Sequence, residues 1–165
     1  MLLTVFLSLV VCGAVSMMMV SGIAFIQDDW MFSSAPEEAK KVLIKRDREL
    51  FKGARAFGWV LMSFSVLMII GSLIIAIWDG HRNEFTIWQF FTRLLVMFTV
   101  YKLYDMIFFD YFLLLKFHFF QYYFPEAERV MEGRKYGFNI KSQLLKLCII
   151  FPAISYAIAW ICTRF

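Results

Sequence analysis

Four long apolar runs dominate the chain, and the segments between them carry most of the charge. At 1.5 Å per residue, an α-helix of about 20 residues crosses a hydrocarbon core about 30 Å thick. The runs that meet this length are residues 2–26, 56–78, 86–115 and 143–163. The pattern therefore predicts an all-α protein with four transmembrane helices in an antiparallel bundle, forming a single transmembrane domain over residues 1–165.

Small side chains recur every three or four residues within three of these runs. The sets are Ser8, Cys12 and Ser16 with Gly13 beside them; Gly58, Met62, Ser65, Ile69, Ser72 and Ala76; and Cys148, Pro152, Ser155, Ala159 and Cys162. Small residues at this spacing let membrane helices approach closely. We expect each set to form a helix–helix contact, and we expect Pro152 to kink the last helix because it lacks a backbone N–H.

The polar connections set the predicted topology. Residues 27–55 begin a charged helical pattern after Ser33 and Pro36, which predicts an amphipathic helix at the cytoplasmic membrane interface. The Asp79–Phe85 stretch contains an Asp-Gly turn signal, so the second and third spans should be antiparallel neighbours. Residues 121–142 form the second long loop.

Basic residues are distributed unevenly between the two predicted sides. Residues 27–55 hold seven Lys and Arg and residues 121–142 hold four, eleven in all, whereas the other side has only Arg82 and Arg164. Because basic loops stay inside, we predict that both long loops are cytoplasmic and that both termini lie outside. The basic loops should contact anionic lipid headgroups, and no nucleic-acid partner is expected.

Composition supports an integral membrane protein and removes several other classes. Of the 165 residues, 61% are hydrophobic, whereas a soluble domain has about 45–50%. The three cysteines Cys12, Cys148 and Cys162 all lie inside apolar runs without CxxC spacing, so neither a disulfide framework nor a zinc site is expected. No cofactor is predicted, and the common hydrolase and nucleotide-binding motifs are missing from the sequence.

The third run carries the candidate intramembrane polar cluster Lys102, Asp105 and Asp110. Lys102 and Asp105 are three residues apart and therefore share one helix face. On a straight α-helix Asp110 would lie about 140° from Asp105, which argues against a carboxylate pair. Two interpretations stay open: an internal ion pair that fixes helix register, or a polar pocket or ion path.

A second group of candidates lies where this run leaves the membrane. Lys116, His118 and Glu126 are candidate interfacial residues, and aromatic side chains surround them. Asp110, His118 and Glu126 are also the acid–base candidates for a lipid-modifying enzyme at this boundary.

Three functions are compatible with the sequence. The favoured one is a non-enzymatic membrane module that packs through small residues and binds lipid, a membrane-protein partner or a second copy of itself. The first alternative is a small oligomeric transporter or permeation subunit that uses Lys102 and Asp105; the second is an interfacial lipid-modifying enzyme. With its FNxKxQ sequence at residues 138–143, the chain resembles small bacterial membrane proteins, which implies the bacterial cytoplasmic membrane.

Overall fold

The computed structural model describes residues 2–28, 41, 49–132 and 140–164, and all regular structure in these ranges is helical. The first helix, α1, is Leu2–Val20 and continues as a π-helix, Ser21–Ile26. Helix α2 is Ala54–Arg82. The aromatic helix consists of α3, Ile87–Tyr104, and a π segment, Asp105–Lys116. Short helices α4 (Phe119–Tyr123) and α5 (Glu128–Met131) flank a 3-10 turn, Pro125–Ala127. The last helix joins α6 (Ile140–Leu145), a π turn (Lys146–Ile150) and α7 (Phe151–Cys162).

Three of these helices are long and apolar enough to cross a membrane. They are Leu2–Ile26, Ala54–Arg82 and Lys141–Cys162, which agree with three of the four predicted spans to within four residues at each end. The aromatic helix is also long enough, but Arg93, Lys102 and Asp105 make it more polar than the other three. An all-helical protein with three membrane-compatible helices is therefore confirmed, whereas the fourth crossing stays a prediction.

The predicted connection at Asp79–Phe85 contains the chain reversal, but the turn predicted from its Asp-Gly pair is wrong. Helix α2 continues through Asp79 and Gly80 to Arg82, and the chain reverses only at Asn83 and Glu84. The Asp-Gly pair stays helical, and Gly80 lies against the ring of Phe90, where a Cβ atom would come within 2.3 Å of the ring. Glu84 adopts a left-handed φ of 51°, and Thr86 and Gln89 then form a capping box that starts α3.

The small-residue stripe of α2 is buried as predicted. Gly58, Ser65, Ser72 and Ala76 are all buried on the face that packs against α1. The Ser65 and Ser72 hydroxyls donate to carbonyls four residues earlier in their own helix, so their burial leaves no unpaired donor. On α1, Ser8 and Cys12 are buried, but Gly13 is exposed and has no atom within 4 Å of a built Cβ, so Gly13 does not belong to the contact.

The aromatic helix lies between the other long helices. It packs against α1 and α2 on one side and against the last helix on the other. Ring contacts pair Phe91 with Tyr156 and Phe98 with Phe151, so sequence numbers rise along one helix as they fall along the other. The aromatic helix and the last helix are therefore antiparallel.

The π-helical segments all occur at one end of the molecule. They end α1, end the aromatic helix and precede Pro152 in the last helix, and each of these positions is on the side away from the Asn83 turn. A π turn bonds residues five apart and is frequently found where a helix must absorb an extra residue. The turn at Lys146–Ile150, with the N–H of Phe151 bonded to the carbonyl of Lys146, is how the last helix accommodates Pro152.

The loops at this end are only partly described. The predicted interfacial helix within residues 27–55 lies largely outside the described residues. Much of the predicted loop 121–142 is helical instead, because Phe120, Phe124 and Ala127 pack with Leu114 into a small apolar core. Ile23 at the end of α1 contacts the same core, which holds this segment against the ends of the long helices.

Candidate functional site

The buried polar groups of the aromatic helix form the candidate site. Lys102 and Asp105 are only 3% and 8% exposed, and the Lys102 Nζ atom lies 2.5 Å from Asp105 Oδ2. Because the two side chains are three residues apart at the junction between α3 and its π segment, they meet on one face. The ion pair expected between Lys102 and Asp105 is therefore present, and the two charged groups are in direct contact.

A second polar contact ties the aromatic helix to α1 close to this pair. The Tyr104 hydroxyl shares a hydrogen bond of 2.8 Å with the Ser16 hydroxyl, which also donates to the carbonyl of Cys12. The Lys102 ammonium lies 5.9 Å from the centroid of the Tyr101 ring, within range of a cation–π interaction. The Ser16–Tyr104 hydrogen bond therefore links the aromatic helix to α1 within one turn of the Lys102–Asp105 pair.

Asp110 joins the cluster because of the π segment. Backbone bonds in a π-helix connect residues five apart, so Asp105 and Asp110 lie close to the same face. The separation of about 140° expected for a straight α-helix does not apply here. Asp110 lies within electrostatic range of both Asp105 and Lys102, and its Oδ2 atom accepts a hydrogen bond of 3.2 Å from Gln143 of the last helix.

The structure adds Arg93, a functional candidate that sequence reasoning missed. Arg93 is 7% exposed; its Nη1 atom donates to Asp79 Oδ2 at 2.7 Å and to the carbonyl of Ala76 at 2.9 Å. Its guanidinium carbon lies 4.3 Å from the centroid of the Phe85 ring. Fourteen residues separate Arg93 from Asp79 in the chain, and the packing of the two helices on either side of the turn brings them together.

The predicted interfacial residues lie apart from the buried pair along the chain and are more accessible. Lys116 is exposed, with its ammonium 5.8 Å from the Tyr111 ring centroid. His118 is exposed and takes a left-handed φ of 49° where the chain reverses into α4. Glu126 is partly buried in the 3-10 turn. The acid–base role of His118, Asp110 and Glu126 stays a prediction.

Several buried polar atoms have no hydrogen-bond partner among the residues that the structure describes. They are Arg93 Nε, Gln121 Oε1, Gln143 Oε1 and Ser155 Oγ. The described residues contain no group of three or more His, Cys, Asp or Glu side chains that could hold a metal ion. Paired polar groups thus join neighbouring helices. The oppositely charged Lys102–Asp105 pair lies at the centre of these groups, and Asp110 lies at their edge.

Comparisons with known protein families, with curated proteins and with solved structures found no match to this chain.

Proposed function

We propose that this chain is a four-crossing integral membrane protein that acts as a non-enzymatic membrane module, binding lipid or a membrane-protein partner through its outer helix faces. The observation that carries the proposal is that the buried and half-buried charged side chains of the aromatic helix contact neighbouring helices or one another. Lys102 pairs with Asp105, Asp110 contacts Gln143 and Arg93 contacts Asp79.

The fourth crossing is supported by the position of the aromatic helix. A charged residue at the centre of a bilayer costs about 2.5–3.5 kcal/mol on insertion scales when it is unpaired. Here Arg93, Lys102 and Asp105 are buried within protein, and the helix packs against all three membrane-compatible helices. A helix in that position does not need the uniformly apolar sequence of a lipid-facing span.

The proposed orientation places the basic loops in the cytoplasm and both termini outside. It rests on the eleven Lys and Arg residues in residues 27–55 and 121–142 against two on the other side. The resemblance in sequence pattern to small bacterial membrane proteins makes the bacterial cytoplasmic membrane the proposed location.

Cysteine labelling tests the crossing of α2 and the orientation together. Asn83 and Lys52 are exposed and lie in connections on opposite proposed sides, so Asn83→Cys and Lys52→Cys suit a membrane-impermeant maleimide. In the background Cys148 and Cys162 are replaced by serine, and Cys12 is kept because it is only 5% exposed. We expect Asn83→Cys to react in intact cells and Lys52→Cys to react only after permeabilisation. Labelling of both positions from the same side would overturn the topology.

Photo-crosslinking tests the proposed binding role. A photoreactive residue at Ile149 of the last helix, which is 60% exposed, should give crosslinks to lipid, to a membrane protein or to a second copy of the chain. The same residue at Leu94, which is 1% exposed, is the matched control and should react within its own chain. If the two positions gave the same crosslinked products, the proposed outward-facing binding surface would be refuted.

A transporter or permeation subunit is the second candidate, favoured by Asp110, which lies within electrostatic range of the buried pair and accepts a hydrogen bond from Gln143 of the last helix. Four crossings are few for a transporter, so this function requires an oligomer. Asp105→Asn would remove the negative charge that neutralises Lys102, and we expect it to change ion flux in reconstituted vesicles. Flux that is measurable and unchanged in Asp105→Asn would exclude a role for this carboxylate.

A further inference from the structure

A compact cluster of exposed aromatic rings and one cation lies at the end of the aromatic helix. It consists of Tyr111, Phe112, Lys116 and Phe117, and we call it the aromatic–cationic cluster. The rings of Tyr111 and Phe112 are 5.2 Å apart, those of Phe112 and Phe117 are 6.4 Å apart, and the Lys116 ammonium lies 5.8 Å from the Tyr111 ring. All four side chains are exposed, Phe117 by 69%.

The length of the aromatic helix places this cluster at a membrane boundary. The 18 residues of α3 rise about 27 Å, close to the thickness of about 30 Å of a hydrocarbon core. If the core begins near Ile87, it therefore ends within the first turns of the π segment. Tyr111 to Phe117 follow at the level of the headgroups.

Aromatic residues at the other end of the molecule mark the opposite boundary. Trp78 and Trp88 lie on either side of the Asn83 turn, and Trp160 lies at the same end because the last helix runs antiparallel to the aromatic helix. Arg82 and Arg164 lie over the rings of Trp78 and Trp160, at 5.5 and 5.4 Å from their centroids. Exposed aromatic residues at both ends form the two belts that are typical of membrane interfaces.

The chemistry of the cluster fits an anionic lipid. Lys116 offers three donors on a flexible stem that reaches past apolar surface, and its long chain lets the ammonium sit at phosphate level. The exposed faces of Tyr111, Phe112 and Phe117 match the glycerol and upper acyl region, which is apolar with polar groups nearby. The cluster lies on the proposed cytoplasmic side, where residues 27–55 and 121–142 carry eleven Lys and Arg and an anionic leaflet is expected.

We infer that the aromatic–cationic cluster is a docking surface for the phosphate-bearing headgroup and upper acyl chains of an anionic lipid. This inference rests on the proposed membrane insertion. The rings hold the lipid at a fixed depth while Lys116 contacts its phosphate, and the docked lipid in turn fixes the depth of the π segment and of Asp110.

Native mass spectrometry of the full chain in detergent tests the inference, with phosphatidylglycerol and phosphatidylcholine supplied as probes. We expect wild-type protein to retain phosphatidylglycerol over phosphatidylcholine, and Lys116→Gln to bind it about fivefold more weakly, the factor equivalent to about 1 kcal/mol per basic residue near an anionic surface. Lys52→Gln removes an exposed lysine on the same side but outside the cluster, so it measures general attraction to anionic headgroups and should weaken binding less than Lys116→Gln does.

A second variant separates the rings from the charge. Phe117→Leu keeps an apolar side chain and Lys116 but removes the most exposed ring, and we expect weaker retention of phosphatidylglycerol with unchanged helix content. Millimolar inorganic phosphate should not displace the lipid, because phosphate alone cannot contact the rings. Equal losses in Lys116→Gln and Lys52→Gln, or displacement by free phosphate, would overturn the inference.

The labelling of Asn83→Cys and Lys52→Cys distinguishes this failure from a failure of the proposed function. If the two cysteines react from opposite sides but phosphatidylglycerol is not retained, only the docking surface is wrong. If they react from the same side, the proposed topology itself falls.

Discussion

Replacing Gly58 with alanine should separate α1 from α2 at their closest approach. A Cβ atom at this position would lie 2.8 Å from Ile26 Cγ1 and 2.9 Å from Phe25 Cβ, distances that real Cβ atoms do not adopt. Ile26 is fully buried and so has no free space to move into. The Ser21 hydroxyl also donates to the Gly58 carbonyl, so any separation of the helices weakens a buried hydrogen bond as well.

The expected loss follows from two opposing terms. Forcing an extra methyl group into a well-packed contact costs about 1–3 kcal/mol. Alanine is favoured over glycine within a helix by about 1 kcal/mol, which offsets part of that cost. We therefore expect Gly58→Ala to lower the free energy of unfolding by up to about 2 kcal/mol, which corresponds to a shift of up to about thirtyfold in the folding equilibrium.

Denaturation with sodium dodecyl sulfate in mixed micelles, followed by circular dichroism, measures this change. Gly71→Ala is the matched control on the same helix, because no atom lies within 4 Å of its built Cβ. We expect Gly71→Ala to be as stable as the wild type or more stable. If Gly58→Ala and Gly71→Ala unfold at the same detergent fraction, the tight α1–α2 contact described above does not form.

Three further substitutions test other parts of the structure by the same unfolding measurement. Gly80→Ala should destabilise the protein because its Cβ would lie 2.3 Å from the Phe90 ring. Adding Phe90→Ala should restore part of the lost stability. If it restores none, residues 80 and 90 are not in contact. Lys102→Met should lower the free energy of unfolding by about 3–5 kcal/mol, because it leaves Asp105 buried without its partner. The double variant Lys102→Met with Asp105→Leu should recover most of this loss. If the losses of the two single variants simply add in the double variant, the two residues are not paired. Gly13→Ala should leave stability unchanged or raise it by up to about 1 kcal/mol, because the position is open and alanine favours a helix. A loss above about 1 kcal/mol would place another helix against it.

The sequence predicted the membrane-compatible helices well because hydropathy is a local property. Leu2–Ile26, Ala54–Arg82 and Lys141–Cys162 are apolar along their whole length, so their identity does not depend on what they pack against. The small-residue stripe of α2 was predictable for a similar reason, since a spacing of three and four residues defines a face on any α-helix. The Lys102–Asp105 pair follows from the same local rule.

The sequence misled where packing between helices decides the role of a residue. Asp79-Gly80 reads as a turn, yet it is helical, and its glycine leaves the space that the Phe90 ring occupies. Because α2 extends through Asp79, this residue lies beside Arg93 and forms an ion pair with it. Neither residue on its own indicates this pair in the sequence. Gly13 shows a different error. It is a small residue beside a predicted helix–helix contact, and the structure shows that it is exposed.

The sequence by itself determined which segments are helical, which are apolar enough for a membrane and which charges can pair within one helical turn. Only the tertiary structure decided that the aromatic helix lies between the other long helices, and that a π segment turns Asp110 toward Asp105 and Gln143. The physical reason is that α and π hydrogen bonding differ by one residue per turn. Contacts with neighbouring helices choose between them, and those contacts join residues that are far apart in the chain.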